Sequence, residues 1–139
     1  VGRLQPALAL MRRLGELGCD FALDDFGAGA SSFGYLRDLP VQKLKIDASF
    51  VRDLGSDKVS EAMVRATREV AKTLGLTLVA EGVESETSRR ALEAMSIGHA
   101  QGFLFGVPQP LRVVLQTTLP ELAVELARVT RAAAASTPA

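Results

Sequence analysis

The chain has 139 residues, of which 47% are hydrophobic and 23% are charged, and its formal net charge is +0. This length allows one domain with a sizeable core, and the balanced charge gives no indication of a nucleic-acid polymer as partner. A single cysteine, Cys19, and a single histidine, His99, exclude an internal disulfide and any multi-Cys or multi-His metal site within the chain. A metal would therefore be held mainly by carboxylates, which suit hard ions such as Mg²⁺ or Mn²⁺.

Helical and strand-like hydrophobic patterns alternate along the chain, and no apolar run approaches the ~20 residues of a membrane span. In chain order, the pattern predicts a helix over Leu4–Leu17, a strand over Phe21–Leu23, a loop over Phe26–Gly34, a short helix over Tyr35–Leu39, a strand over Lys43–Ile46, a long helix from Ser56 or Asp57 to Leu74, a strand over Leu76–Ala80, a helix over Ser85–Met95, a strand over Ala100–Phe105, and helices over Leu111–Gln116 and Pro120–Arg131.

Four short, buried-type strands that alternate with helices indicate right-handed crossovers and a parallel sheet. Four such units make half of an eight-stranded barrel of the TIM type, so an α/β fold that forms half of such a barrel is expected. The folded part is predicted to cover residues 1–131, and the small, polar residues 132–139 are predicted to be a disordered tail.

Polar side chains follow each predicted strand, and in a TIM barrel that end of the strands carries the active site. They are Asp24 and Asp25, then Lys45 and Asp47, then Glu81 and Glu84, then Gln101. Two adjacent anions repel each other unless a cation lies between them, so Asp24-Asp25 favours a divalent-metal site over a simple loop start. Glu81 is well placed as a further ligand, and Gln101 could hydrogen-bond to a metal-bound water.

Lys45 lies inside an apolar strand, where an unpaired lysine is costly to bury. Strand alternation places Lys45 and Asp47 on one side and Leu44 on the other. Three roles follow for Lys45: a Schiff-base amine in an aldolase-like barrel, a cation that orients water and neutralises phosphate charge, or a purely structural partner of Asp47 or Asp25.

Four ordered motifs together resemble the second half of the EAL-domain cyclic-di-GMP phosphodiesterases. They are Asp24-Asp25-Phe26-Gly27-Ala28-Gly29-Ala30-Ser31-Ser32, Leu44-Lys45-Ile46-Asp47, Ala80-Glu81-Gly82-Val83-Glu84 and Gln101-Gly102-Phe103. The resemblance implies the C-terminal half of a TIM-type barrel that hydrolyses cyclic-di-GMP to linear pGpG with two Mg²⁺ or Mn²⁺ ions. It also implies a bacterial, cytoplasmic protein, fused to sensory or GGDEF domains.

Roles for single residues follow from the same resemblance. Asp24 would bridge two metals, Asp25 and Glu81 would serve the second metal, and Lys45 and Gln101 would lie at the attacking water. The remaining positions are expected to support the site and the loop after Asp25, through which the family forms homodimers: Glu84, Asp47, Gly27, Gly29, Ser31 and Ser32.

The family's Glu-Ala-Leu strand, a substrate-binding Arg, a metal-binding Asn and a further Glu belong to the first half of the domain. Because these groups are not in this chain, we expect the 139-residue chain alone to be inactive. Ala28 and Ala30 stand where the family usually has Thr and Tyr. These small residues favour the alternative of a degenerate domain that senses cyclic-di-GMP or scaffolds a partner. The exposed edges of half a barrel predict oligomers or poor solubility.

Overall fold

The computed structural model describes residues 4–28 and 33–117 of the chain. The contacts divide the chain into two compact units, Val1–Gly106 and Val107–Ala139. The predicted helix over Pro120–Arg131 and the predicted tail over 132–139 lie outside the described residues.

The first unit contains all the described strands and five of the described helices. Its elements are α1 (Leu4–Glu16), β1 (Ala22–Phe26), α2 (Phe33–Leu36), β2 (Lys43–Ile46), α3 (Ala48–Arg52), α4 (Lys58–Leu74), β3 (Thr77–Ala80), α5 (Glu86–Ala94) and β4 (His99–Ala100). The described element of the second unit is α6 (Leu111–Thr117). Within the described ranges, every helix is too short or too polar to cross a lipid bilayer.

The strands form one parallel sheet in the order β1-β2-β3-β4. Its register pairs Ala22 with Lys43, Leu44 with Leu78, and Ala80 with Ala100. Since all four strands run the same way, their carboxyl ends meet at one edge of the sheet. The predicted parallel α/β architecture is confirmed, and the residues that follow the strands share that edge.

The core lies on the face of β2 that carries Leu44 and Ile46, which are 0% and 1% exposed. Leu44 belongs to a cluster with Phe26, whereas Ile46 belongs to a second cluster with Val51. Lys45 lies between them in sequence and is half-buried on the opposite side. The predicted alternation in β2 is therefore correct, and it leaves the lysine away from both apolar clusters.

Helix α4 connects β2 to β3 and has the ends that its sequence predicts. The Asp57 side chain accepts hydrogen bonds from the backbone N–H groups of Val59, at 3.3 Å, and Ser60, at 2.7 Å. At the other end, Gly75 adopts φ 69° and donates its N–H to the carbonyl of Ala71. This left-handed conformation suits glycine, which has no Cβ to clash.

The last strand and the short helix differ most from the predicted bounds. The last strand is His99–Ala100 rather than Ala100–Phe105, because the backbone beyond it hydrogen-bonds to the loop after β3, with Leu104 donating to Val83. The short helix is Phe33–Leu36 rather than Tyr35–Leu39. Pro40 explains only why Leu39 is not helical, since proline disfavours the helical conformation at the residue before it.

Helix α3 has no counterpart in the predicted elements. Asp47 caps it by accepting hydrogen bonds from the Ser49 backbone N–H at 2.8 Å and the Ser49 hydroxyl at 2.5 Å. An Asp followed by Ala-Ser was its sequence signal, but five residues are too few for a helical period to appear.

We expect Leu44→Ala to lower the free energy of unfolding by about 2–5 kcal/mol, since it leaves a cavity beneath the sheet. The matched control is Leu10→Ala on α1, where the side chain is 58% exposed. That substitution should change the stability by no more than about 0.5 kcal/mol. Denaturant unfolding of both variants measures the difference, and equal losses would contradict the placement of the core.

Candidate metal centre at the strand ends

Asp24 and Asp25 lie inside β1 rather than after it, which corrects the predicted strand over Phe21–Leu23. The pairing with β2 is irregular between Leu23 and Phe26, and Asp25 adopts φ 52°. In a regular strand, two consecutive side chains point to opposite faces of the sheet. This irregularity accompanies the approach of both carboxylates to Glu81, all three groups offering oxygen atoms within 4.8 Å of one another.

Lys45 is the cation of this cluster. Its Nζ lies 2.8 Å from Oδ1 of Asp24 and 2.5 Å from Oε1 of Glu81. The lysine side chain is 21% exposed and that of Glu81 is 13% exposed, so this pair is partly shielded from water. The structural partners considered from the sequence, Asp47 and Asp25, are therefore not the carboxylates that Lys45 pairs with.

Gln101 contacts the same Glu81 oxygen as Lys45 does. Its Nε2 donates a hydrogen bond to Glu81 Oε1 at 2.6 Å. The Gln101 backbone is also fixed, since its N–H donates to the Ala80 carbonyl at 2.9 Å and its carbonyl accepts from Val83 at 3.1 Å. Gln101 thus orients a carboxylate directly, whereas its predicted contact with a water molecule stays a prediction.

The pKa values of the cluster reflect these contacts. The hydrogen bond from Lys45 holds the pKa of Asp24 below its ordinary value. Burial raises the pKa of Glu81 above its ordinary value, against the opposing effect of Lys45. Burial also acts to lower the pKa of Lys45, but the hydrogen bonds that its ammonium group donates to Asp24 and Glu81 outweigh burial, and the pKa is raised. A Schiff-base lysine needs a lowered pKa, so this environment disfavours the aldolase-like alternative.

Two glycines allow the backbone around Glu81 and Gln101 to pack closely. A Cβ on Gly82, which has φ 67°, would lie 2.5 Å from Cβ of Ala48 at the start of α3. A Cβ on Gly102 would lie 2.2 Å from the carbonyl oxygen of Val83. The loop after β3 is therefore held between α3 and the segment after β4.

Beside the cluster is a cleft of about 290 Å³ whose lining includes Arg52, Glu81, Glu84 and Gln101. The Nε of Arg52 lies 3.2 Å from Oε1 of Glu84. Sequence reasoning did not single out Arg52, because α3, which places it opposite Glu84, was not predicted.

The structure thus brings together five of the predicted site residues: Asp24, Asp25, Lys45, Glu81 and Gln101. Glu84 instead pairs with Arg52, and Asp47 caps α3. Gly27 follows β1 with φ 104°, and a Cβ there would lie 2.8 Å from the Phe50 ring. Gly29, Ser31 and Ser32 lie outside the described residues, so their support of the loop stays a prediction.

The donor set fits a divalent metal ion. The three carboxylates of Asp24, Asp25 and Glu81 can turn oxygens toward one point, and carboxylate oxygen is the ligand that Mg²⁺ and Mn²⁺ prefer. Among the described residues, the ion pairs of this cluster involve one ammonium group, that of Lys45, against three carboxylates, so a further cation is electrostatically favourable there.

A parallel α/β sheet with a carboxylate cluster at the carboxyl ends of its strands fits part of a TIM-type barrel, in which the active site lies at that end. The family model for the EAL domain matches residues 1–108, and the chain belongs to the EAL family.

Three related proteins illustrate this relationship. The cyclic di-GMP phosphodiesterase PdeB of Shewanella oneidensis is 43% identical over 104 residues, covering 75% of this chain and 12% of PdeB. The solved structure of the PaMucR phosphodiesterase in complex with c-di-GMP is 39% identical, with TM-score 0.74, covering 81% of this chain and 46% of that one. The structure of Klebsiella pneumoniae BlrP1 with manganese and cyclic-di-GMP is 37% identical, with TM-score 0.68. The match covers 72% of this chain and 26% of the BlrP1 chain.

We expect Gly82→Ala to destabilise the chain more than Gly75→Ala. The two glycines have nearly the same φ, 67° and 69°, but a Cβ at Gly75 meets nothing within 4 Å. Left-handed strain should cost about 1–2 kcal/mol in both variants, and the contact with Ala48 should add about 1–3 kcal/mol at Gly82 alone. Denaturant unfolding measures both, and equal losses would show that the loop does not pack against α3.

Proposed function

We propose that this chain supplies the C-terminal half of the catalytic centre of a cyclic-di-GMP phosphodiesterase. The observation that carries the proposal is the meeting of Asp24, Asp25 and Glu81 with Lys45 and Gln101 at one edge of the sheet. The relatives named above act on or bind cyclic-di-GMP, and the BlrP1 structure contains manganese. The chain spans 12% of PdeB and 46% of the MucR structure, so the activity concerns a domain that includes a second half.

In this proposal, Asp24, Asp25 and Glu81 hold two divalent ions together with ligands from the other half of the domain. Bound Mg²⁺ or Mn²⁺ ions supply positive charge for the phosphodiester and make water a better nucleophile at neutral pH. This charge is needed because the substrate's phosphodiesters are anionic and the site is rich in carboxylates.

The chain's own residues have separate tasks. Lys45 provides positive charge near Asp24 and Glu81 that can neutralise the charge of the phosphodiester. Gln101 holds Glu81 in one orientation through its hydrogen bond. Asp47 does not contact substrate in this scheme, since it caps α3 and so fixes the residues that pack against Gly82.

The product is linear pGpG, formed when water opens one of the two phosphodiesters. Glu84 and the loop after Asp25 support the site, and that loop joins two subunits of a homodimer. The proposal also includes fusion of this domain to sensory or GGDEF domains. It places the protein in the bacterial cytoplasm.

We expect Asp24→Asn and Glu81→Gln each to lower hydrolysis of cyclic-di-GMP on the order of 10²-fold or more, since each removes several kcal/mol of charge stabilisation. The assay uses a polypeptide in which the N-terminal half of an EAL domain precedes Val1, with Mn²⁺, and follows pGpG by chromatography. The matched control is Asp20→Asn, since Asp20 lies before β1 and approaches Lys43 at 4.0 Å rather than the cluster.

Chelation of the metal should abolish turnover, and the 139-residue chain alone should show none. Full activity in Glu81→Gln would contradict the proposal. Calorimetric binding of cyclic-di-GMP without turnover in the joined polypeptide would instead support the sensor alternative.

A further inference from the structure

Lys45 contacts two of the three carboxylates that the proposed metal centre needs. Its Nζ lies 2.8 Å from Asp24 Oδ1 and 2.5 Å from Glu81 Oε1, and both residues belong to the three-carboxylate cluster. A divalent ion prefers these carboxylates for the same electrostatic reason as the ammonium group does. The two cations therefore share ligands, and each weakens the binding of the other.

One of the two carboxylate oxygens of Glu81, Oε1, already has both of its lone pairs engaged. Oε1 accepts from Lys45 Nζ at 2.5 Å and from Gln101 Nε2 at 2.6 Å. A carboxylate oxygen offers two lone pairs, so a further bond to Oε1 requires one donor to withdraw. Gln101 is held through its backbone N–H and carbonyl, whereas the ammonium group ends a flexible four-carbon stem. Lys45 is thus the donor that can move.

The backbone of Lys45 stays in place while its side chain moves. Lys45 pairs with Val79 of β3 in the parallel ladder, and its neighbours Leu44 and Ile46 are buried in the two core clusters. A change at this position is therefore confined to the long side chain, which is 21% exposed and can reach solvent.

We infer that the Lys45 ammonium is the resident counter-ion of the carboxylate cluster, competing with the divalent ion, and that metal entry displaces it from Asp24 or Glu81. This inference rests on the proposed assignment of these carboxylates as metal ligands. Lys45 then has two opposite effects: it stabilises the cluster while metal is absent, and it lowers the affinity for metal. In the cell, the lysine would keep the site folded and suppress loading at low metal concentration.

The inference distinguishes Lys45 from a lysine with a purely structural or purely catalytic role. Removal of a structural lysine would leave metal affinity unchanged or lower it through loss of order, and removal of a catalytic one would leave it unchanged. Removal of a competing cation raises metal affinity, because the repulsion between two cations a few ångströms apart is lost. A variant expected to lose activity is therefore expected to bind metal more tightly.

The test is Mn²⁺ binding to the joined polypeptide in which the N-terminal half of an EAL domain precedes Val1, followed by calorimetry and by the electron paramagnetic resonance signal of free Mn²⁺. We expect Lys45→Met to lower the Kd for Mn²⁺ roughly tenfold or more. Lys45→Arg, which keeps the charge, should bind Mn²⁺ within about threefold of the original chain. The matched control is Lys43→Met, which removes a charge from the same strand at an exposed residue that faces Asp20.

Thermal unfolding supplies a second readout. Without metal, Lys45→Met should have a lower melting temperature than the original chain. Saturating Mn²⁺ should raise the melting temperature of Lys45→Met by more than it raises that of the original chain. Lys45→Gln covers the case in which the methionine variant does not fold, because its neutral amide can still donate to one carboxylate. It too should bind Mn²⁺ more tightly than the original chain.

The outcomes separate this inference from the proposed function. Equal or weaker Mn²⁺ binding by both neutral variants would overturn the competition and leave the metal centre standing. Failure of every variant and of the unsubstituted joined polypeptide to bind Mn²⁺ at millimolar concentration would overturn both the inference and the proposed function. Tighter Mn²⁺ binding by Lys43→Met would overturn the inference about Lys45, because it would show that removal of any nearby positive charge has the same effect.

Discussion

The repulsion among three carboxylates is the constraint on which the rest of this site depends. Asp24, Asp25 and Glu81 approach within 4.8 Å, and such a group is stable only when cations or hydrogen-bond donors face it. Lys45 provides the charge and Gln101 the donor. The fold must therefore deliver an ammonium group, an amide and three acids to one point, which four parallel strands do by ending at the same edge.

Three local features of the backbone bring these side chains together. The irregularity in β1 brings two consecutive acids to one cluster, the pairing of β2 with β3 sets Lys45 beside Glu81, and Gly82 lets the next loop approach α3. None of these features uses the other half of a barrel. Half of an EAL domain can thus assemble its share of the site, while the remaining ligands come from elsewhere.

Much of this could be predicted from sequence. Hydrophobic alternation predicted the buried side chain of Leu44 in its strand, and the position of Asp57 before a helical pattern predicted the helix cap. The acidic residues were also predicted near the strand ends. The errors have a common origin in distant contacts. The partners of Lys45 are set by neighbouring strands, and the segment after His99 follows the loop that contains Val83 instead of the sheet. Local sequence carries no signal for either choice.

The most direct measurement of the central claim is an anomalous difference map from crystals of this chain grown with Mn²⁺. The account predicts a peak bound by carboxylate oxygens of Asp24, Asp25 and Glu81, with the Lys45 ammonium withdrawn from at least one of them. A map with no peak at these carboxylates, and with Lys45 still bridging Asp24 and Glu81 at saturating Mn²⁺, would contradict it.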